Sequence, residues 1–362
     1  MSDPRARRLA AVADGLIAAH VDALLVTGLA NVRYLTGFSG SSALLLVTAR
    51  DTVLITDFRY QTQVAAEVGT LARTIIEPQS LWAGLWAQLG QLGYLQVVGF
   101  ESAHTMHRDF QRLVEAGARW QWRPTVDLVE TLRERKDPGE VALIQAAADV
   151  ATTALHATLH QVRAGLSELQ VAGILEKALR DAGSEGFPFP SIVASGARSA
   201  LPHARATQAR IAPGDFLLLD FGAEVQGYCS DITRTVVVGR ASTEQREVYD
   251  VVRAANEQAA HAVRPGMTGR DADAVARDYI EQRGYGELFG HSLGHGVGLE
   301  VHEAPRLART SEGALAEGAV VTIEPGVYRP GWGGVRIEDD VVLDAAGPRI
   351  LTRFPRELLE LA

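Results

Sequence analysis

The chain has little cysteine and little lysine, and the scarcity of cysteine excludes two kinds of site. Cys229 is the only cysteine among 362 residues, which excludes internal disulfides and cysteine-rich zinc sites. Lys136 and Lys177 are the only lysines, so arginine supplies most of the basic charge. The 35 basic residues face 44 acidic ones, and no basic run is present that would bind a phosphate backbone. We therefore expect no nucleic-acid partner.

Long apolar runs are also absent from the sequence. No window reaches the roughly 20 apolar residues of a membrane span, and MSDPRARRLAAVADGL has no apolar stretch of the signal-peptide kind. We therefore expect a soluble, cytoplasmic protein with no membrane partner. At roughly 100–200 residues per domain, the length predicts two domains. The charged segment RERKDPGE predicts their boundary, with one domain at residues 1–130 and the other at residues 131–362.

The apolar pattern predicts an α/β (α+β) fold. In the first domain, ALLLVT (43–48) and TVLITD (52–57) predict a hairpin within a mixed sheet that is covered by helices. In the second domain, Asp137 before Pro138 predicts the capped start of a long helix. Helix pairs alternate there with long strands, which are predicted at 216–222, 231–239, 320–328 and 334–343.

Carboxylates interrupt those apolar strands. Asp220 lies at the end of one predicted strand, and Asp231 begins the strand that returns. Glu324 lies inside the strand at 320–328, and Glu338 lies inside its expected partner. Because a buried, unpaired carboxylate costs several kcal/mol, four of them in one domain require compensating cations. Two divalent cations would balance the four negative charges.

A glycine-rich segment supplies histidines to the same domain. GHSLGHGVGLEVHE contains His291, His295 and His302, and its glycines allow the backbone to fold closely around a site. A phosphate-binding loop is excluded, since no Lys-Ser/Thr pair follows. Oxygen ligands with one imidazole suit Mn²⁺ or Co²⁺, and Zn²⁺ stays open. Two such metals about 3.5–4 Å apart can share a hydroxide and polarise a carbonyl, the usual arrangement for hydrolysis.

These motifs resemble those of a known family, the pita-bread metallopeptidases. LLLDFG, DITRT, GHGVGLEVHE, TIEPG and VRIEDD carry the resemblance across the second domain. NVRYLTGFSGSSALLLV resembles the N-terminal module of aminopeptidase P, prolidase and creatinase. The resemblance implies a C-terminal pita-bread catalytic domain, a homodimer and a dinuclear exopeptidase that cleaves Xaa-Pro bonds, with Mn²⁺ favoured over Co²⁺ or Zn²⁺. It implies five metal ligands: Asp220, Asp231, His295, Glu324 and Glu338.

The resemblance also implies catalytic and substrate-binding roles. His203 contacts substrate near the scissile bond, and His302 stabilises the oxyanion. Glu324 carries the proton from water to the leaving nitrogen. The catalytic set is completed by His291 and by Arg336, an arginine beside the last glutamate.

Three functions remain open for this set of residues. The guanidinium of Arg306 could pair with a substrate carboxylate, which favours a dipeptidase (prolidase) acting on Xaa-Pro dipeptides. The alternative is aminopeptidase P, which acts on longer peptides. A remote alternative is a non-catalytic binding module, although such proteins usually lose metal ligands.

Other histidines are expected to have no catalytic role. His104 and His107 lie in the first domain, where no acidic partners are expected near them, which favours surface or capping roles. His156 and His160 are four residues apart on a predicted helix, but no glutamate follows His156 as a zinc-protease motif would require.

Overall fold

The computed structural model describes residues 3–362 and divides into two compact units. The first unit ends at Arg133, and the second comprises Glu134–Ala362. Each unit has its own sheets and its own hydrophobic core. Within the described range, no helix has the length and the hydropathy that crossing a bilayer requires.

The first unit is a mixed six-stranded sheet with helices packed against it. Its strand order is β4-β3-β2-β1-β5-β6, in which β1–β2 and β2–β3 are antiparallel and the other neighbours are parallel. The strands are β1 (Ala23–Val26), β2 (Ala43–Thr48), β3 (Thr52–Thr56), β4 (Arg73–Ile76), β5 (Val97–Glu101) and β6 (Gln121–Thr125). The helices are α1 (Pro4–Ala18), α2 (Leu29–Thr36), α3 (Gln61–Val68), α4 (Leu81–Gln91), α5 (His107–Ala116) and α6 (Glu130–Arg133). The predicted hairpin is β2–β3.

The second unit pairs helices with sheets twice. Its helices are α7 (Pro138–Leu159), α8 (Glu168–Asp181), α9 (Thr243–Ala262) and α10 (Gly269–Gln282). Helices α7 and α8 share a core with the sheet β19-β11-β8-β7, whereas α9 and α10 share a core with strands of the sheet β13-β12-β14-β17-β18 and of the ribbon β15-β16. A ribbon β9-β10 links β8 to β11. The strands are β7 (Ile192–Ser195), β8 (Phe216–Phe221), β9 (Glu224–Val225), β10 (Tyr228–Cys229), β11 (Ile232–Val238), β12 (Gly294–Gly296), β13 (Glu303–Leu307), β14 (Val320–Ile323), β15 (Gly326–Arg329), β16 (Gly333–Arg336), β17 (Asp339–Asp344), β18 (Gly347–Ile350) and β19 (Glu360–Leu361).

Three helices of the second unit begin at capping residues that can be recognised in the sequence. Asp137 accepts hydrogen bonds from the amides of Gly139 and Glu140, and the side chain of Glu140 accepts one from the amide of Asp137. Pro138 occupies the first turn, where its missing N–H costs nothing. The predicted start of this helix is therefore confirmed. Helices α8 and α9 begin with the same reciprocal cap, at Ser167 and Ser242.

The two long strands predicted at 320–328 and 334–343 are each broken in the structure. The first divides into β14 and β15, and the second into β16 and β17. Strand β14 pairs with β17 in the five-stranded sheet, whereas β15 pairs with β16 in a separate ribbon. The predicted pairing of the two segments is thus right, but Glu324 and Glu338 lie at the breaks rather than inside strands. Pro325 has no N–H to donate to a ladder, which favours a break at that point.

Candidate metal centre and active site

The hairpin of β8 and β11 places two carboxylates on the same face of its sheet. Leu217, Leu219 and Phe221 pack in the core shared with α7 and α8. Because side chains alternate along a strand, Asp220 points to the opposite face. Its Cα pairs with that of Thr233, two residues beyond Asp231. Asp220 and Asp231 are both buried.

The two strand breaks bring two glutamates to the same place. The amide of Glu338 donates to the carbonyl of Thr233, and the Thr233 hydroxyl donates to Oε2 of Glu338 at 2.6 Å. The amide of Glu324 donates to the carbonyl of Leu293, next to the short strand β12. The chain therefore leaves the ladder at both glutamates, and other segments of the domain satisfy their backbone groups.

His295 presents one ring nitrogen to these carboxylates. Its Nδ1 lies 3.1 Å from the carbonyl oxygen of Gly296, which can only accept, so Nδ1 carries the proton. Nε2 is then the unprotonated nitrogen, and it lies 3.5 Å from Glu324 and 3.8 Å from Asp231. Burial lowers the pKa of His295 to about 4, which keeps the ring neutral. A neutral imidazole fixed by its second nitrogen is the form that binds metals.

The residues present fit a divalent metal centre. Ligand atoms of Asp231, His295 and Glu338 all lie within 4.8 Å of one another. Oδ1 of Asp231 is buried and has no hydrogen-bond partner within residues 3–362. Burial, followed by the charge of Glu338, raises the pKa of Asp231, and burial together with the charge of Glu324 raises that of Glu338. Burial raises the pKa of Glu324 to about 8. Such a set of crowded acids is stabilised by bound cations.

One guanidinium lies among these acids. Arg336 donates to Oδ2 of Asp220, to the hydroxyl of Thr233 at 3.0 Å and to the hydroxyl of Tyr328 at 2.7 Å. Arg336 is buried. Its single positive charge balances only part of the negative charge on the four carboxylates. Arg336 therefore orients residues around the centre and leaves negative charge that bound cations would compensate.

His291 is held on both sides. Its Nδ1 lies 2.8 Å from the carbonyl oxygen of Ser292, and its Nε2 lies 2.9 Å from the Tyr328 hydroxyl. From α10, Arg277 donates to the carbonyl of His291 at 2.7 Å and forms a buried ion pair with Asp273. Burial lowers the pKa of His291 to about 4. The ring is thus neutral and fixed beside the acids.

All of the site residues that the sequence predicts line one cavity of about 1660 Å³ in the second unit. His302 lies beside the centre, since its ring centroid is 4.3 Å from that of His295. His203 and Arg306 are exposed to the cavity from two different segments. The ten residues are His203, Asp220, Asp231, His291, His295, His302, Arg306, Glu324, Arg336 and Glu338.

The sequence of this domain matches one family. The profile described as metallopeptidase family M24 matches residues 142–345, which is more than half of the chain. The chain belongs to metallopeptidase family M24. The profile of the creatinase/prolidase N-terminal domain matches residues 8–135. These two matches confirm the resemblance and the fold class predicted from the sequence. Family M24 is dinuclear and metal-dependent.

Relatives and solved structures extend the match to 94–99% of the chain. The Xaa-Pro dipeptidase of Pyrococcus horikoshii is 36% identical over 94% of this chain and 95% of its own. The solved Xaa-Pro dipeptidase from Bacillus anthracis is 40% identical, with a TM-score of 0.95 over 99% of this chain and all of that one. The solved X-Pro aminopeptidase from Thermotoga maritima is 38% identical, with a TM-score of 0.88 over 94% and 98%.

Sequence reasoning missed Tyr328 and Asp340 in this M24 site. The hydroxyl of Tyr328 forms hydrogen bonds with both His291 and Arg336. Asp340 accepts a hydrogen bond from the amide of Asp231 at 3.0 Å. Tyrosine is common in strands, so its place in GVY gave no signal. The repeated acid in EDD could have drawn attention to Asp340, because a buried carboxylate requires partners.

A second group of possible ligands lies in the first unit and is already satisfied. Glu101 accepts from the amides of Thr27 and Gly28 and from the amide group of Asn31, which also donates to Glu130 at 2.6 Å. His104 lies 2.7 Å from Glu130, so the expectation that it has no acidic neighbour is wrong. Asn31, from a distant part of the sequence, brings these groups together. Their hydrogen bonds account for this cluster without a metal.

Proposed function

We propose that this M24 protein is a dinuclear Xaa-Pro dipeptidase. The observation that carries the proposal is the convergence of three buried carboxylates, the partly buried Glu324 and the unprotonated Nε2 of His295 on a cavity that also exposes Arg306. The similarity to dipeptidases of Pyrococcus horikoshii and Bacillus anthracis supports the same substrate class. The proposed metal ligands are Asp220, Asp231, His295, Glu324 and Glu338.

The chemistry requires attack of water on the carbonyl of Xaa and protonation of the proline nitrogen. Bound divalent cations supply Lewis-acid activation of the water and of the carbonyl. Glu324 accepts the proton of the water and gives it to the leaving nitrogen, which has no N–H of its own. His203 and His302 donate to the developing oxyanion. Arg336 and His291, joined through Tyr328, hold the surrounding groups in place.

Arg306 selects the length of the substrate. Its guanidinium is exposed to the cavity and forms no hydrogen bond or ion pair with the residues that the structure describes. A guanidinium binds a carboxylate with two parallel hydrogen bonds, and an Xaa-Pro dipeptide, unlike a longer peptide, carries a free carboxylate on its proline. This arrangement favours a dipeptidase. The similarity to the X-Pro aminopeptidase of Thermotoga maritima keeps aminopeptidase P as the second candidate.

Finer properties are proposed from the donor set and the family resemblance. Carboxylate oxygens with one imidazole favour Mn²⁺, with Co²⁺ and Zn²⁺ as alternatives. Residues 131–362 are proposed as the catalytic domain and residues 1–130 as the N-terminal domain. A homodimer and a cytoplasmic location are proposed as well, and light scattering after size-exclusion chromatography tests the dimer.

The deciding experiment compares two peptides with and without added Mn²⁺. Release of proline from Ala-Pro and of alanine from Ala-Pro-Ala is followed for the wild type and for Glu324→Gln. Exposed Glu317 lies outside the cavity, so Glu317→Gln is the matched control.

Each outcome of this comparison decides a part of the proposal. Cleavage of Ala-Pro alone supports the dipeptidase, and clear cleavage of Ala-Pro-Ala favours the aminopeptidase. Activity that survives Glu324→Gln would refute the assigned proton carrier. No cleavage with metal supplied would favour the non-catalytic binding module.

A further inference from the structure

The arginines that line the cavity differ in what their guanidinium groups contact. Arg277 forms its ion pair with Asp273, and Arg336 forms one with Asp220. Both are buried, so neither offers donors to a substrate carboxylate. The remaining cavity arginines are exposed, and their guanidinium groups make no hydrogen bond or ion pair with any residue from 3 to 362: Arg205, Arg306 and Arg309.

Arg205 reaches the cavity from a different segment than the other two. Arg306 lies on β13 and Arg309 closely follows that strand, whereas Arg205 lies two residues after His203, between β7 and β8. The proposed function assigns Arg306 to the proline carboxylate of a dipeptide. An unpaired guanidinium on a separate segment is therefore left over by that assignment.

The backbone around Arg205 is fixed by a buried carboxylate. Glu168, at the start of α8, is fully buried. It accepts hydrogen bonds from the amide of Ser195 at 2.9 Å, from Nε of Arg198 at 3.0 Å and from the hydroxyl of Thr207 at 2.7 Å. Arg198 then donates to the carbonyl of Arg205 at 2.7 Å. The backbone is held at Arg205 and at Thr207, so it loses little entropy there when a ligand binds.

The cavity also has more room than a dipeptide needs. Its volume of about 1660 Å³ exceeds the roughly 300–1,000 Å³ of pockets that hold drug-sized ligands. An open guanidinium on a fixed backbone matches a carboxylate in shape and charge. We propose that Arg205 is a specificity-determining residue that binds a substrate carboxylate other than the proline carboxylate assigned to Arg306. This inference rests on the proposed function.

Two parts of a substrate could supply that carboxylate. One is the side chain of an acidic Xaa residue, as in Glu-Pro. The other is the C-terminus of a peptide that extends beyond proline, as in Ala-Pro-Ala. Isosteric neutral peptides separate the two sources: Gln-Pro for the first, and the C-terminal amide of Ala-Pro-Ala for the second.

The test measures two ratios on metal-loaded protein. One is kcat/KM for Glu-Pro over Gln-Pro, and the other is kcat/KM for Ala-Pro-Ala over its amide, with inhibition constants against Ala-Pro used where a tripeptide is not cleaved. The variants are Arg205→Gln and Arg205→Glu. Arg309→Gln is the matched control, because it removes the same charge from the same cavity at another segment.

We expect Arg205→Gln to lower one of the two ratios about tenfold, as loss of a charge-assisted pair would. Arg205→Glu should lower it further, and Arg309→Gln should keep it within about twofold of the wild type. The ratio that falls identifies the source of the carboxylate.

The failures are distinguishable. Two ratios that stay the same in Arg205→Gln, or an equal fall in Arg309→Gln, would overturn the inference while Ala-Pro hydrolysis by the wild type still supports the proposed function. A wild type that does not cleave Ala-Pro would overturn the proposed function and the inference together.

Discussion

The phenolic oxygen of Tyr328 lies 2.9 Å from Nε2 of His291. The same oxygen accepts from Arg336 at 2.7 Å, so its own proton is free to go to the histidine. Because Nδ1 of His291 carries a proton toward the Ser292 carbonyl, Nε2 is the accepting nitrogen. One hydroxyl thereby couples the guanidinium beside Asp220 to the ring beside Glu324.

Replacing Tyr328 with phenylalanine should impair turnover more than binding. The change removes only the hydroxyl and leaves a donor of Arg336 and Nε2 of His291 without this partner. We expect kcat for Ala-Pro to fall about tenfold, which corresponds to roughly 1.4 kcal/mol, while KM changes little. Tyr279→Phe is the control, since Tyr279 is partly buried outside the cavity. Equal kcat values for the two variants would show that the hydroxyl has no catalytic effect.

Replacing Arg306 with glutamine should change substrate binding and leave chemistry nearly intact. Arg306 is proposed to hold the proline carboxylate, an interaction present in both ground state and transition state. We expect KM for Ala-Pro to rise about tenfold or more with a much smaller change in kcat. The C-terminal amide of Ala-Pro provides the complementary measurement, because it removes the carboxylate instead. If the amide were as good a substrate as Ala-Pro for the wild type, Arg306 would not be the anchor.

The fold was more predictable than the geometry of the site. Caps such as Asp137 and apolar strands are local features, so they could be found in the sequence. The break at Glu324 has a local signal in Pro325, whereas no proline or glycine marks the break at Glu338. Those breaks depend on which strand each half pairs with, and the partners lie elsewhere in the sequence. The hydrogen bonds of Tyr328 could not be predicted for the same reason.

Replacing each of the two lysines with methionine should change stability to very different extents. Lys136 pairs with Glu303 and Lys177 pairs with Asp181, both at 2.5 Å. The side chains of the first pair are 1% and 8% exposed, and those of the second are 74% and 63% exposed. Lys136→Met removes one charge of a buried ion pair, so the free energy of unfolding should fall by about 3–5 kcal/mol.

Lys177→Met is the control, and it should leave the free energy of unfolding nearly unchanged because solvent screens its pair. Denaturant titrations of both variants measure the difference. The double variant with Lys136→Met and Glu303→Met should be more stable than Lys136→Met alone, because it removes both charges of the buried pair. Similar losses for the two single lysine variants would contradict the importance of burial.

Asp231→Asn should change stability in opposite directions with and without metal. In the metal-free protein, the charges of Glu338 and Asp220 and the burial of Asp231 all disfavour its ionised form. A neutral amide removes that repulsion, so the metal-free variant should unfold at a higher temperature than the metal-free wild type.

Added Mn²⁺ should make the wild type unfold at a higher temperature than the variant. For the wild type, a ligand at a hundredfold excess over its Kd adds about 2.7 kcal/mol per site, and the variant should lose most of this gain because an amide is a weaker ligand. Calorimetric scans of both proteins after chelation and after Mn²⁺ addition measure the two effects. Asp278→Asn, at an exposed position of α10, should change neither. A variant that is less stable than the wild type without metal, or that gains as much from Mn²⁺, would exclude Asp231 as a ligand in a repulsive cluster.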